Sequence, residues 1–273
     1  MPVLLVGIDD TATATQRSQG WAFIGLPQAG LFDLQTAVSS FARGASFHGS
    51  KCGPRNIGRY ESFLVAIRDT VRRHHPSFLA HVFDDQSWHI DFGQFARTVV
   101  RQAGGNPTAS AEAAVTHVLP PLMTLQRLLA DQQLAAHQLE VSIDEHGFTH
   151  GFSSIRLHVR SGQIDAGDFT RIIYNAYRER LFPAASDMIP NGLHVVPDDQ
   201  SILIQAADVF GNFAAAYAAY KLGATDHRQL KGEAFGGVFD DPDMSDILPA
   251  LSLAGNHLEV TLSTPGSMRL LIN

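Results

Sequence analysis

Cysteine is almost absent: Cys52 stands alone in 273 residues. One thiol excludes an intramolecular disulfide and a thiolate zinc cage. Its loop context, SKCGPR, makes it incidental. No apolar run approaches the ~20 residues that cross a bilayer. The start, MPVLLVGIDD, has no basic residue, and its apolar stretch is too short for a signal peptide. Repeats and low-complexity tracts are missing as well. A cytoplasmic protein with no membrane contact is the expectation. Excess positive charge is also lacking. The net charge of −7 argues against an overall electrostatic grip on nucleic acid.

One segment departs from that balance. Between Phe41 and His75 stand seven cations (Arg43, Lys51, Arg55, Arg59, Arg68, Arg72, Arg73) against two acids, Glu61 and Asp69. A basic strip on an acidic body suits a phosphate chain. It equally suits a solvated helix face, and the sequence leaves both open.

What the chain has is a core. A hydrophobic content of 45% is ordinary for a soluble globular protein. Residues 2–9 are apolar throughout up to a terminal acid, which predicts a central strand. Trp21–Leu26 reads as its neighbour across a Thr/Ser/Gly-rich loop. A helix is predicted over Glu61–His75 and a third strand at Phe78–Phe83. Asp91 caps a predicted helix through Gln102. An alanine-rich helical stretch follows from about Ser110 to Ala136. Strands are expected at Leu139–Asp144, Ser153–Arg160, Gly192–Val196, His257–Ser263 and Met268–Asn273, with helices at Asp168–Leu181 and Ser201–Leu222. This mixture predicts a single α/β domain over 1–273 with a mixed sheet flanked by helices, a helical insertion at about 104–137 and a C-terminal extension at about 224–273.

Carboxylates carry the chemistry. GIDD at Gly7–Asp10 recurs as SIDE at Ser142–Glu145, each an apolar strand ending in isoleucine and two acids. If the two strands are parallel neighbours, Asp9 and Asp144 emerge together where α/β sheets place their ligands. The helix ILIQAADVFGNFAAAYAAY puts Gln205, Asp208 and Asn212 on one face. A carboxylate on a buried helix needs a cation or several hydrogen bonds. No Arg or Lys lies within two turns of Asp208 in the helix, so a metal ion is a natural partner. Each feature has a plain alternative, since an Asp at a strand end starts turns and Asp208 can meet a loop. Three convergent carboxylates suit Mg2+ or Mn2+, and two such ions can assist phosphodiester cleavage.

The IDD strand, FHGSK (Phe47–Lys51), the IDE strand and LIQAADVFGN resemble the DUF3800 family, in order over residues 2–220. Members of that family carry an Asp-Glu pair after the first strand and a Gln-x-x-Asp motif on a late helix. The family is grouped with the ribonuclease H-like superfamily. The resemblance implies a ribonuclease H-like mixed sheet and clustered carboxylates holding two divalent metals. Asp9 takes the place of the motif's Asp, and Asp10 replaces its Glu. Gln205 and Asp208 match the late helix motif, and Asp144 with Glu145 takes the second-strand position. In many relatives a glutamate precedes the His48–Lys51 segment. Here GASFHGSK has no acid, and His48 or Glu61 is left to compensate.

The resulting expectation is a Mg2+- or Mn2+-dependent nuclease-like protein acting on RNA or DNA. Asp9, Asp144 and Asp208 are its catalytic metal ligands. Asp10, Glu145, His48, Lys51, Gln205 and Asn212 are supporting residues. Gln205 and Asn212 orient the helix carboxylate or a bound water. Lys51, Arg55, Arg59, Arg68 and Arg72 contact nucleic acid. A protein partner in a larger system is compatible with this. Two other readings stay open. One is a non-catalytic nucleic-acid- or partner-binding module with a degenerate site. The other is an actin-like nucleotide-binding phosphotransferase, which GIDDTAT and SIDEHG resemble loosely; the first turn lacks the glycine that lets backbone approach a phosphate.

Overall fold

The computed structural model describes residues 3–12, 19–42, 44–74, 76–84, 138–145, 156–159, 162–165, 193–221, 223 and 225–239. It also describes strands at 252–254, 257–261 and 266–272, and isolated positions near 97–101, 118–125 and 168–171. The expected helices at 91–102, 110–136 and 168–181 lie outside the described residues apart from those isolated positions. The chain divides into two compact units. A terminal unit joins Val3–Ser87 to Asp198–Asn273, and a middle unit holds Trp88–Pro197 together with Met1–Pro2.

The terminal unit contains β1 (Val3–Ala12), β2 (Gln19–Leu26), α1 (Gln28–Ala42), α2 (Ile57–Arg73) and β3 (Ser77–Asp84). After the middle unit come α3 (Ile202–Lys221), α4 (Arg228–Phe239), β8 (Ser252–Ala254), β9 (His257–Thr261) and β10 (Gly266–Ile272). The middle unit contains β4 (Gln138–Asp144), β5 (Arg156–Val159), β6 (Gly162–Asp165) and β7 (Leu193–Val196). In it β4 and β7 pair in parallel, and β5 and β6 form an antiparallel hairpin.

In the terminal unit β1, β2 and β3 form an antiparallel meander. β10 then adds in parallel to β3, and β9 and β8 follow antiparallel. The fold class is therefore α/β with a mixed sheet flanked by helices. Leu4, Val6 and Ile8 are buried on one face of β1, and Leu5 on the other. A strand apolar on both faces belongs inside its sheet.

The core lies between this sheet and the helices. Leu5, Ala22, Ile24 and Leu79 from the strands pack with Phe63 and Ile67 of α2 and Phe210 and Phe213 of α3. By length and composition α3 resembles a membrane span, yet most of it is buried within the fold. Gly7 marks how closely β1 meets α3. A Cβ there would lie 2.5 Å from the Leu203 backbone, so any larger residue pushes the strand off the helix.

Two helices were not legible in the sequence. On α1 only Gly30, Leu34 and Val38 are buried. The hydroxyls of Thr36, Ser39 and Ser40 bond back to carbonyls three or four residues earlier, so these loop-favouring residues are satisfied locally. α4 is rich in glycine, a poor helix former. Tertiary packing decides it: Phe235 and Phe239 stack at 4.6 Å, and Phe235 meets Tyr217 of α3 at 5.2 Å. At the end of α2, His74 pairs with Asp33 of α1 at 2.9 Å and ties the two helices together.

Candidate metal centre

Asp9 and Asp10 do not start a turn. The ladder between β1 and β2 continues past them to Ala12, with Asp9 opposite Ala22 and Asp10 opposite Trp21. Successive strand residues leave opposite faces. Asp9 therefore shares the face of Leu5 and Gly7, which is the face covered by α3, and is only 6% exposed. Asp10 leaves toward the other face and is half-buried. One oxygen of each carboxylate still lies within 4.8 Å of the other. The same register carries Ala22 to His81 on β3, so Asp9, Ala22 and His81 form a row across one face. His81 is fully buried, and burial pushes its pKa down to about 3.

The second centre is built around Asp208. It occupies the buried face of α3, where Ala206 and Ala207 precede it and Val209 and Phe210 follow. Its Oδ2 accepts the Gly49 N–H at 2.8 Å, and its Oδ1 accepts the Asn212 Nδ2 at 2.8 Å. One turn earlier, Gln205 turns to the same loop rather than to the carboxylate, and its Oε1 accepts the Phe47 N–H at 3.0 Å. The FHGSK segment is thus sewn to the Gln-x-x-Asp helix motif by two backbone donors. Gly49 is required by space: a Cβ would sit 2.5 Å from Asn212 Cβ. From α2, the Tyr60 hydroxyl donates to the His48 carbonyl at 2.8 Å. From α4, Lys231 Nζ donates to the Gly49 carbonyl at 2.8 Å.

His48 is held at both ring nitrogens. Nδ1 pairs with Asp198 Oδ2, and Nε2 lies 3.1 Å from Ser46 Oγ. Asp198 opens the short 3-10 turn Asp198–Gln200 just before α3. Ligand atoms of His48, Asp198 and Asp208 all lie within 4.8 Å of one another. Burial raises the Asp208 pKa, opposed by the Gly49 N–H, the His48 charge and Asn212, while Asp198 adds to the rise. Burial lowers the Lys231 pKa, and the negative charge of Asp208 partly restores it. A buried carboxylate beside a second acid and an imidazole is an arrangement that a divalent cation relieves.

The sequence missed Asp198 and Lys231. Asp198 sits in an ordinary-looking PDD loop, and Lys231 lies in a helix the sequence did not reveal. Asp144 and Glu145 belong to the middle unit. Asp144 ends β4 opposite Val196, and the Glu145 N–H donates to the Val196 carbonyl at 2.9 Å. Of the basic residues, Lys51, Arg55 and Arg72 are exposed. Arg59 and Arg68 also bond within the fold. Arg59 donates to the carbonyls of Ala42 and Ala45 and covers the Phe47 ring at 4.4 Å. Arg68 pairs with Asp69 at 2.8 Å and donates to the Val238 carbonyl. Glu61 lines a groove of about 410 Å³ between α2 and α4, beside Leu230, Glu233 and Val238.

No family model matches the chain, and no curated protein matches it. Among solved structures, a variant of Bst-RNase HIII is similar at 12% identity with a TM-score of 0.32, covering 84% of this chain. The chain spans 64% of that protein's length.

Proposed function

We propose that this protein is a metal-dependent, nuclease-like hydrolase of RNA or DNA phosphodiester bonds with a ribonuclease H-like fold. The observation that carries the reading is the seating of FHGSK on the α3 motif. Two segments 159 positions apart, read in the sequence as one motif set, meet through the Gly49 N–H and Asp208 Oδ2. The meander β1–β2–β3 with Asp9 on its α3-facing side supports the same reading.

In this reading Asp9 and Asp208 hold divalent cations, with Asp144 as the further carboxylate and Asp10 and Glu145 beside them. Mg2+ or Mn2+ bound there would activate a water and stabilise the leaving oxygen. The chain's own part is to fix the carboxylates. Asn212 and the Gly49 N–H hold both oxygens of Asp208, and the β1 ladder fixes Asp9. Lys51, Arg55 and Arg72, which are exposed, are the phosphate contacts in this reading, with Lys51 two residues beyond Gly49 as a point charge.

The test is cleavage of labelled single- and double-stranded RNA and DNA with Mn2+ or Mg2+. Wild type is compared with Asp9→Ala and Asp208→Ala. Loss of at least ~100-fold in rate is expected for each, the scale of removing electrostatic stabilisation at a reacting centre. Cleavage that survives both substitutions refutes the assignment.

A further inference from the structure

We infer that His48, Asp198 and Asp208 form a site selective for Zn2+ over Mg2+. The site shares Asp208 with the proposed nuclease centre, but its existence does not depend on nuclease activity.

Three separate elements bring these groups together. The loop before the Gly49–Lys51 turn supplies an imidazole, the turn before α3 supplies one carboxylate, and α3 supplies another. Their ligand atoms converge within 4.8 Å. The donor set is one nitrogen and two carboxylates. Carboxylate sets alone suit Mg2+, whereas imidazole favours zinc and its transition-metal neighbours. His48 presents Nδ1 to Asp198 while Ser46 Oγ holds Nε2, the outer hydrogen bond that fixes a ligating ring in place.

Asp208 is also prepared for a ligating role. Asn212 and the Gly49 N–H fix its orientation and leave each oxygen a further lone pair. Lys231 donates to the Gly49 carbonyl at 2.8 Å.

The experiment is calorimetric titration of the full chain with Zn2+, Mn2+ and Mg2+, without nucleic acid. Co2+ absorption in the visible range serves as a second readout, because its d–d bands shift with coordination number and ligand set. Wild type is expected to bind Zn2+ at least ~10-fold tighter than Mg2+. His48→Ala and Asp198→Asn are each expected to weaken binding by ~10-fold or more and to change the Co2+ spectrum. Circular dichroism confirms that the variants fold. Equal affinity of wild type and His48→Ala, or a preference for Mg2+, overturns the inference. Binding without nuclease activity retains it and refutes only the hydrolase reading.

Discussion

Asp208 Oδ2 accepts the Gly49 N–H at 2.8 Å, across 159 positions of sequence. That one bond ties a helix carboxylate to the loop carrying His48. The loop is seated from several sides: Gln205 holds the Phe47 N–H, Tyr60 the His48 carbonyl and Lys231 the Gly49 carbonyl. A site assembled this way depends on backbone position as much as on side-chain identity.

Gly49→Ala tests that dependence. The new Cβ would meet Asn212 Cβ at 2.5 Å, so the loop must shift away from α3. Overpacking of this kind costs about 1–3 kcal/mol. Urea denaturation should show a lower midpoint with an unchanged slope, and divalent-ion affinity should fall with it. A variant that keeps both wild-type stability and wild-type metal affinity would show that the seat is not strict.

His81 predicts a specific acid sensitivity. Its folded pKa is lowered by burial to about 3, against an ordinary value of 6.5. As pH falls below about 6.5, the unfolded chain takes up a proton that the folded protein refuses. Stability from this group is full above that value and is lost between about 6.5 and 3. His81→Leu should flatten the stability curve between pH 7 and 4, by on the order of a few kcal/mol. Denaturation curves at several pH values decide it; parallel pH profiles for wild type and variant would count against the prediction.

Cys52 should be sluggish toward alkylation. Burial pushes its thiol up to about 11 from an ordinary 9.0. Only the thiolate reacts, so labelling by iodoacetamide at pH 8 should run about a hundredfold slower than for an exposed cysteine. Urea should abolish the difference. Fast labelling of the native protein would mean the thiol is not held as described.

The sequence alone reached the α/β class, the strands β1, β2, β3 and β4, and the apolar α3 with its polar face. These are carried by apolar periodicity and by runs too hydrophobic to lie outside a core, which are local properties. It also singled out Asp9, an acid at the end of an apolar run, and Asp208, Gln205 and Asn212, since a buried helix bearing an acid and two amides is conspicuous before any folding. The structure altered the meaning of several residues. Asp9 and Asp10 stand inside a ladder and leave opposite faces, because β1 continues to Ala12. Gln205 serves the loop instead of the carboxylate. Arg59 and Arg68 hold carbonyls within the fold. α1 and α4 escaped because one is polar and the other glycine-rich, and packing overrides both propensities. Asp198 and Lys231 carry no local mark at all. Their significance arises only when the turn before α3 and the helix after it are folded against the His48 loop. Convergence of residues far apart in sequence is a property of tertiary contacts, and no local pattern encodes it.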